Sequence, residues 1–224
     1  MTTVLVTGGA KGIGASIVER LSEAGYSLLI HYKESEQEAV QLSQRCKGSA
    51  IIQGDFSSFE GIEEFIKKVS HFNIGSLVNN VGNYLIKPLF ETQCEDWNSL
   101  YFPNFLASVE LVRSLQDSIR LNKGSIVNLG VAGLCNANSH SVAYHCLKSC
   151  LWTYTLALSK EMAASDVNVN MISPGHIENS VEQGSHVPMG RLGLKNEVAE
   201  AVYFCLSNKY ITGQNIEVAG GVGL

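Results

Sequence analysis

Short apolar runs rich in Val and Ile recur along the chain: residues 2–8 (TTVLVTG), 27–32 (SLLIHY), 49–55 (SAIIQGD), 74–80 (IGSLVNN), 124–130 (GSIVNLG), 167–175 (VNVNMISPG) and 215–221 (NIEVAGG). Their length and β-branched content predict buried strands. Between them the apolar positions change to helical spacing, as in Ile13, Ile17 and Leu21, then Ile62, Phe65, Ile66 and Val69, then Leu106, Val109, Val112 and Leu115. Strands that alternate with helices and are apolar on both faces predict a parallel sheet covered on each side. The expected fold class is therefore α/β, a Rossmann-type doubly wound sheet of about seven strands. No linker, repeat or low-complexity tract breaks the pattern, so residues 1–224 are expected to form a single domain.

Composition narrows the partners. A chain of 224 residues with 45% hydrophobic and 17% charged side chains suits one full core. A net charge of −5 without a basic block gives no reason to expect nucleic acid or an anionic membrane as partner. No run approaches the roughly 18 to 20 apolar residues of a membrane span, and the N-terminus carries no basic segment followed by an apolar signal core. A cytoplasmic protein with a small-molecule ligand is the expectation. Six cysteines (Cys46, Cys94, Cys135, Cys146, Cys150, Cys205) have no metal-ligand spacing, so no metal site is expected and the cysteines read as small buried apolar residues.

In such sheets ligands bind at the carboxyl ends of the strands. The first of these loops, in VTGGAKGIGASIVERL, sets Gly8, Gly12 and Gly14 between a strand and an amphipathic helix. Bare backbone there can approach a pyrophosphate, and the helix N-terminus attracts its charge. A second strand ends about twenty residues on, the context that a dinucleotide site requires. An NAD-specific site usually has an acidic residue at that strand end. Here His31, Tyr32 and Lys33 follow one another, and Lys11 adds a cation inside the glycine loop, which favours NADP(H) over NAD(H); Glu34 weighs mildly against it.

Four motifs in order, TGGAKGIG, NNVG (79–82), the pair Tyr144 and Lys148 in SVAYHCLKS, and SPG (173–175), resemble those of the classical short-chain dehydrogenases/reductases. The resemblance implies roles for the matching residues. Gly8, Lys11, Gly12, Ile13, Gly14, Tyr32 and Lys33 would hold the cofactor phosphates. Asp55 and Phe56 would meet the adenine, Asn80, Val81 and Gly82 the ribose region, and Pro174, Gly175 and Ile177 the nicotinamide end. Asn179 or Ser180 would lie nearby. Asn104, seven residues after Trp97, matches the asparagine of the family's proton relay.

The chemistry explains the catalytic pair. Reduction of a carbonyl builds negative charge on oxygen, and a donor within reach must discharge it. A free tyrosine, with a pKa of about 10, is poorly matched to neutral pH. A nearby ammonium is expected to lower that value, and the i, i+4 spacing puts Lys148 on the same helix face as Tyr144. The family also uses a serine thirteen residues before the tyrosine. That position is Val131, which donates no hydrogen bond. Three readings follow: a substrate with its own hydrogen-bonding groups, as in the pteridine reductases, which also lack this serine; replacement by Ser139 or Ser141; or a cofactor-binding module with little catalysis.

The substrate signals point two ways. HYKES (31–35) resembles the second-strand end of pteridine reductases, whereas VPMGRLG (187–193) and YITGQNIEVAGG (210–221) resemble β-ketoacyl-carrier-protein reductases. Both imply NADPH-dependent reduction, of a C=N bond or of a ketone. The fourteen residues HIENSVEQGSHVPM make a short substrate lid, to which His176, Asn179 and His186 give polar character, favouring a compact polar ring over a long acyl chain. Family resemblance also implies a homotetramer or homodimer packed through the helices after the fourth and fifth strands.

Overall fold

The computed structural model describes residues 2–136, 139–178 and 187–222. All seven expected strands form: β1 (Thr3–Val6), β2 (Ser27–Tyr32), β3 (Ser49–Gln53), β4 (Ile74–Asn79), β5 (Ser125–Leu129), β6 (Asn168–Pro174) and β7 (Asn215–Val218). They pair in parallel in one sheet, in the order β3-β2-β1-β4-β5-β6-β7. The chain leaves β1 in one direction and returns through β4 on its other side. That reversal opens the crevice in which doubly wound sheets bind ligands.

Strand alternation separates two cores. On one face Val4, Val6, Leu28, Ile30 and Val78 pack under α1 (Gly12–Glu23), α2 (Glu36–Arg45) and α7 (Lys195–Ser207). On the other, Leu5, Leu29, Leu77, Ile126 and Val169 pack under α3 (Phe59–Val69), α5 (Ala107–Leu121) and α6 (Val142–Ala163). Because both faces are covered, the strands read as unbroken apolar runs rather than alternating ones.

One helical expectation is shifted. In α5 the buried residues are Ala107, Ser108, Leu111, Val112, Leu115 and Ile119, whereas Leu106 and Val109 are only half-buried. The cause lies upstream, where α4 (Cys94–Tyr101) runs into a π-helical turn, Phe102–Leu106, before α5 begins. Pro103 has no N–H to return to the Ser99 carbonyl, which instead accepts from Asn83 Nδ2 at 3.3 Å. The wider turn rotates the helix register and drives Asn104 inward.

The cysteines divide. Cys46 and Cys205 are buried, as read from the sequence, but Cys94, Cys135, Cys146 and Cys150 are exposed; all six are free. Among the described residues no helix is long and apolar enough to cross a membrane.

Candidate active site

Beyond the carboxyl ends of β1, β4, β5 and β6 lies a cavity of about 430 Å³ that reaches from Ile13 and Asn80 to His176 and Val222. At one end Ile13 and Asn80 bring it to the glycine loop. Gly8 and Gly12 have φ of +60° and +57°, which L side chains rarely adopt. A methyl on Gly14 would stand 2.1 Å from the Gly8 carbonyl oxygen and 2.7 Å from Asn80 Nδ2, so the helix start, the loop and β4 close on one another only without it. Asn80 Nδ2 donates to the carbonyls of Thr7 and Gly8, both at 3.0 Å. Thr7 Oγ1 accepts from the amides of Asn80 (2.9 Å) and Val81 (3.1 Å), a tie that the sequence reading missed.

These features fit a dinucleotide. The N-cap of α1, Lys11, makes no side-chain cap, leaving the first amides of the helix available to an anion, and among the described residues nothing beyond Gly12's own turn stands within 4 Å of where a side chain on it would begin. The two lysines expected near a 2′-phosphate are both at the surface and both paired. Lys11 lies 2.8 Å from Glu38, and Lys33 lies 3.2 Å from Asp55 and 3.8 Å from Glu34. Ser57 donates its amide to Asp55 at 2.8 Å, and with Lys33 this holds the carboxyl below its ordinary range against the opposing effect of burial. Strand alternation sends Tyr32 and His31 to opposite sides. Tyr32 packs with Ala10 and Ala39, its hydroxyl donating to Glu36 at 3.3 Å. His31 turns inward. The side chain of Phe56 is also inside, stacked on His31, so a ligand can meet Phe56 through its backbone.

At the other end of the cavity stand Tyr144 and Lys148, one turn apart on α6. Lys148 is 3% exposed, and its ammonium donates to the Leu129 carbonyl at 2.8 Å. Burial lowers its pKa from the ordinary 10.5 to about 8. The Nζ lies 5.6 Å from the centre of the Tyr144 ring. Burial, helped by Tyr84, pushes the Tyr144 phenol above its ordinary value, opposite in direction to the effect expected of the ammonium. Desolvation, which disfavours the phenolate, is the dominant effect on the phenol. Tyr144 thus carries its proton at neutral pH.

Asn104, buried in the π turn, donates through Nδ2 to the carbonyls of Asn83 and Leu100, both at 3.0 Å. Its Oδ1 is buried with no hydrogen-bond partner among the described residues. A methyl on Gly82 would stand 2.6 Å from that oxygen and 3.4 Å from Lys148 Nζ. Gly82 therefore keeps open the approach between the two.

Val131 lines the cavity with Tyr144, as do Pro174, Gly175, His176 and Ile177. Neither serine weighed as its replacement does. Ser139 is exposed, and Ser141 is buried with its Oγ 3.0 Å from His145 Nδ1 and 3.5 Å from the Tyr84 hydroxyl. Those two partners do line the cavity, and Tyr84 meets Tyr144 edge to face at 4.8 Å. Neither was singled out from sequence; a polar residue directly after Tyr144 was the one available sign of His145. Asn179, Ser180 and His186 lie outside the described residues.

A family model described as enoyl-(acyl carrier protein) reductase matches residues 8–223. The chain is 32% identical over 236 residues to a 3-oxoacyl-[acyl-carrier-protein] reductase of Rattus norvegicus, covering 98% of this chain and 97% of that protein. It is 29% identical over 237 residues to the uncharacterized oxidoreductase YmfI of Bacillus subtilis, covering 98% of each. Among solved structures it superposes on a blue fluorescent protein from a metagenomic library in complex with NADPH, with a TM-score of 0.91 at 26% identity, over 100% of this chain and 98% of that one. With the seven-stranded parallel sheet and the glycine loop, these likenesses identify the chain as a member of the short-chain dehydrogenase/reductase family, an NAD(P)H-dependent oxidoreductase.

Proposed function

We propose that the protein is an NADPH-dependent reductase of a small polar carbonyl or pteridine-like C=N compound, with Tyr144 as proton donor and Val131 in place of the usual serine. The observation that carries this reading is that Tyr144, Lys148 and Val131 line the same cavity as Ile13 at the glycine loop and Asn80 and Gly82 after β4. When bound, the reduced nicotinamide supplies a hydride. The amides of Gly12 and Ile13 would hold its pyrophosphate, Asp55, Asn80, Val81 and Gly82 the adenosine, and Pro174, Gly175 and Ile177 the nicotinamide end.

Preference for NADPH rests on Lys11 and Lys33. Their present partners are solvent-exposed carboxylates, and such screened surface ion pairs contribute little. A 2′-phosphate offers each ammonium a stronger charge-assisted bond, so the exchange is favourable.

Tyr144 donates its proton to the substrate atom on which charge develops, and its raised pKa keeps that proton in place until then. The Lys148 ammonium stabilises the phenolate left behind, and Asn104 Oδ1 is an acceptor suited to a relay water that returns the proton. Orientation of the substrate falls to Tyr84 and His145. A substrate with its own donors and acceptors suits this arrangement better than a simple ketone.

The decisive experiment follows NADPH oxidation with dihydropteridines, dihydrofolate and acetoacetyl thioesters. Turnover lost in Tyr144→Phe supports the assignment, and activity unchanged in that variant overturns the role of Tyr144. A second reading, reduction of a 3-oxoacyl thioester, is supported by the name and identity of the Rattus norvegicus relative, and preferential turnover of the acetoacetyl thioester would select it. Binding of NADPH without turnover of any substrate would favour a cofactor-binding module.

Residues 1–224 are proposed to act as a single domain that associates as a homotetramer or homodimer. Support comes from an apolar groove lined by Phe105, Cys150, Tyr154 and Ala157, where the π turn before α5 meets α6. A monomer by light scattering at micromolar concentration would overturn this association.

A further inference from the structure

We propose that His31 is a positioning residue for the cofactor loop, a neutral imidazole with its proton on Nε2 that fixes Gly8 and Gly9 and so leaves the first amides of α1 to meet the pyrophosphate. The proposal rests on the cofactor site described under the proposed function.

Two consecutive amides of the glycine loop end on this one residue. The Gly8 N–H donates to His31 Nδ1 at 2.9 Å, and the Gly9 N–H donates to the His31 carbonyl at 2.9 Å. On the opposite edge of the ring, Nε2 lies 3.2 Å from the Gly54 carbonyl oxygen, just past the end of β3. A carbonyl can only accept and an amide N–H can only donate, so the two partners together dictate one tautomer, with the proton on Nε2 and the lone pair on Nδ1. His31 thereby ties the loops after β1 and β3 together across the end of β2.

The ring has no freedom to serve elsewhere. It is 2% exposed, lies parallel to Phe56 at 4.4 Å and 4°, and takes the edge of Phe65 at 4.9 Å. A methyl on Gly54 would stand 2.4 Å from Phe65 and 3.3 Å from His31 Nε2, so that glycine is what lets the ring reach its carbonyl. Burial holds the imidazole at about 4, so it is neutral through the physiological range.

The consequence for the ligand is a division of labour among the amides. Those of Gly8 and Gly9 are spent on His31, and Asn80 holds the Gly8 carbonyl from the other side. The loop is thus clamped in the left-handed turn at Gly8, and the amides that remain for an anion are those opening α1 behind the uncapped Lys11. His31 acts through that backbone and touches no ligand itself.

Substitutions separate its two hydrogen bonds. An asparagine oxygen falls near the place of Nδ1 and retains an acceptor for Gly8, whereas a glutamine amide reaches toward Gly54 and leaves the Gly8 N–H without one. Binding of NADPH, followed by nucleotide fluorescence, is expected to weaken about tenfold or more in His31→Gln and to stay within about threefold of the unsubstituted protein in His31→Asn. At saturating NADPH, kcat in both variants should match the unsubstituted protein. Equal weakening in both variants, or unaltered binding in His31→Gln, would overturn the proposal. Nitrogen chemical shifts of the imidazole in the unsubstituted protein test the geometry without any substitution. Protonated Nε2 and bare Nδ1 at neutral pH are expected, and the opposite tautomer or an imidazolium would sink it. An unsubstituted protein that binds neither NADPH nor NADH would instead overturn the cofactor site, and this proposal with it.

Discussion

Asn104 Oδ1 and Lys148 Nζ flank the same point above Gly82, 2.6 Å and 3.4 Å from where a methyl group on that glycine would begin. Both neighbours are held in place by hydrogen bonds that a shift would break. The amide is held by its two bonds to Asn83 and Leu100, and the ammonium is anchored on Leu129. Gly82→Ala is therefore expected to displace the carboxamide, to cost about 1 to 3 kcal/mol of stability through overpacking, and to lower kcat by at least about 10²-fold. Thermal denaturation and steady-state kinetics on the same preparation check both effects, and a variant with unchanged kcat would remove Asn104 from the relay.

Lys148→Met should separate stability from function. The distance between about 8 and the ordinary 10.5 corresponds to about 3 kcal/mol that the folded protein spends at neutral pH to keep this ammonium buried. Loss of the bond to Leu129 returns about 1 kcal/mol in the other direction. Methionine fills the same volume without a charge, so the variant is expected to be more stable at pH 7 by about 1 to 2 kcal/mol and inactive. The sign also has a pH signature. The unfolded chain binds the lysine proton up to about 10.5 and the folded chain only to about 8, so the wild-type penalty is relieved as pH rises through that window. Denaturant titrations at pH 7 and pH 10 should therefore find the advantage of the methionine variant shrinking at the higher pH.

How far the sequence carried the fold follows from the physics of each element. All seven strands were legible because a parallel sheet covered on both faces demands unbroken runs of Val, Ile and Leu. The glycine loop was legible because the left-handed φ values at Gly8 and Gly12 favour glycine. Less was visible where a side chain's direction decides its role. His31 and Tyr32 are adjacent in sequence, yet pleating sends one into the interior and the other toward Glu36, a difference that residue type alone does not reveal. The pairing of Lys11 with Glu38 joins residues far apart in the chain. The inward turn of Asn104 depends on Pro103 upsetting the helix register, a π turn that helical periodicity does not encode. The upward push on the Tyr144 phenol was not legible because burial is a property of the folded site.

The titration of Lys148 also predicts how the rate responds to pH. Tyr144 keeps its proton across the accessible range, since burial raises its pKa, so loss of the donor proton does not limit reduction. The group that changes charge is Lys148, which shares the cavity with Tyr144, Tyr84, His145 and His176. Without the ammonium the phenolate formed in the reaction has no counter-charge. kcat for reduction is expected to be flat from about pH 6 to 8 and to fall by about tenfold per pH unit above that. A profile of kcat at saturating substrate and NADPH tests this, and a rate still rising above pH 9 would contradict it.

Val131→Ser tests whether the valine marks a lost function or a different substrate. The side chain lines the cavity with Tyr144 and is only half-buried, so exchanging its methyls for a hydroxyl should cost about 1 kcal/mol or less. One preorganised donor at a developing oxyanion is worth about 10² to 10³ in kcat, although a hydroxyl grafted without supporting contacts delivers less. If Tyr84 and His145 orient a substrate that brings its own polar groups, the serine adds nothing for that substrate and raises kcat/KM on simple ketones by about tenfold or more. The ratio of the two gains is the measurement. A large gain on the ketone alone means the cavity is complete for its own substrate and closed to others by Val131; equal gains on both mean that the missing hydroxyl limits every reaction the site performs.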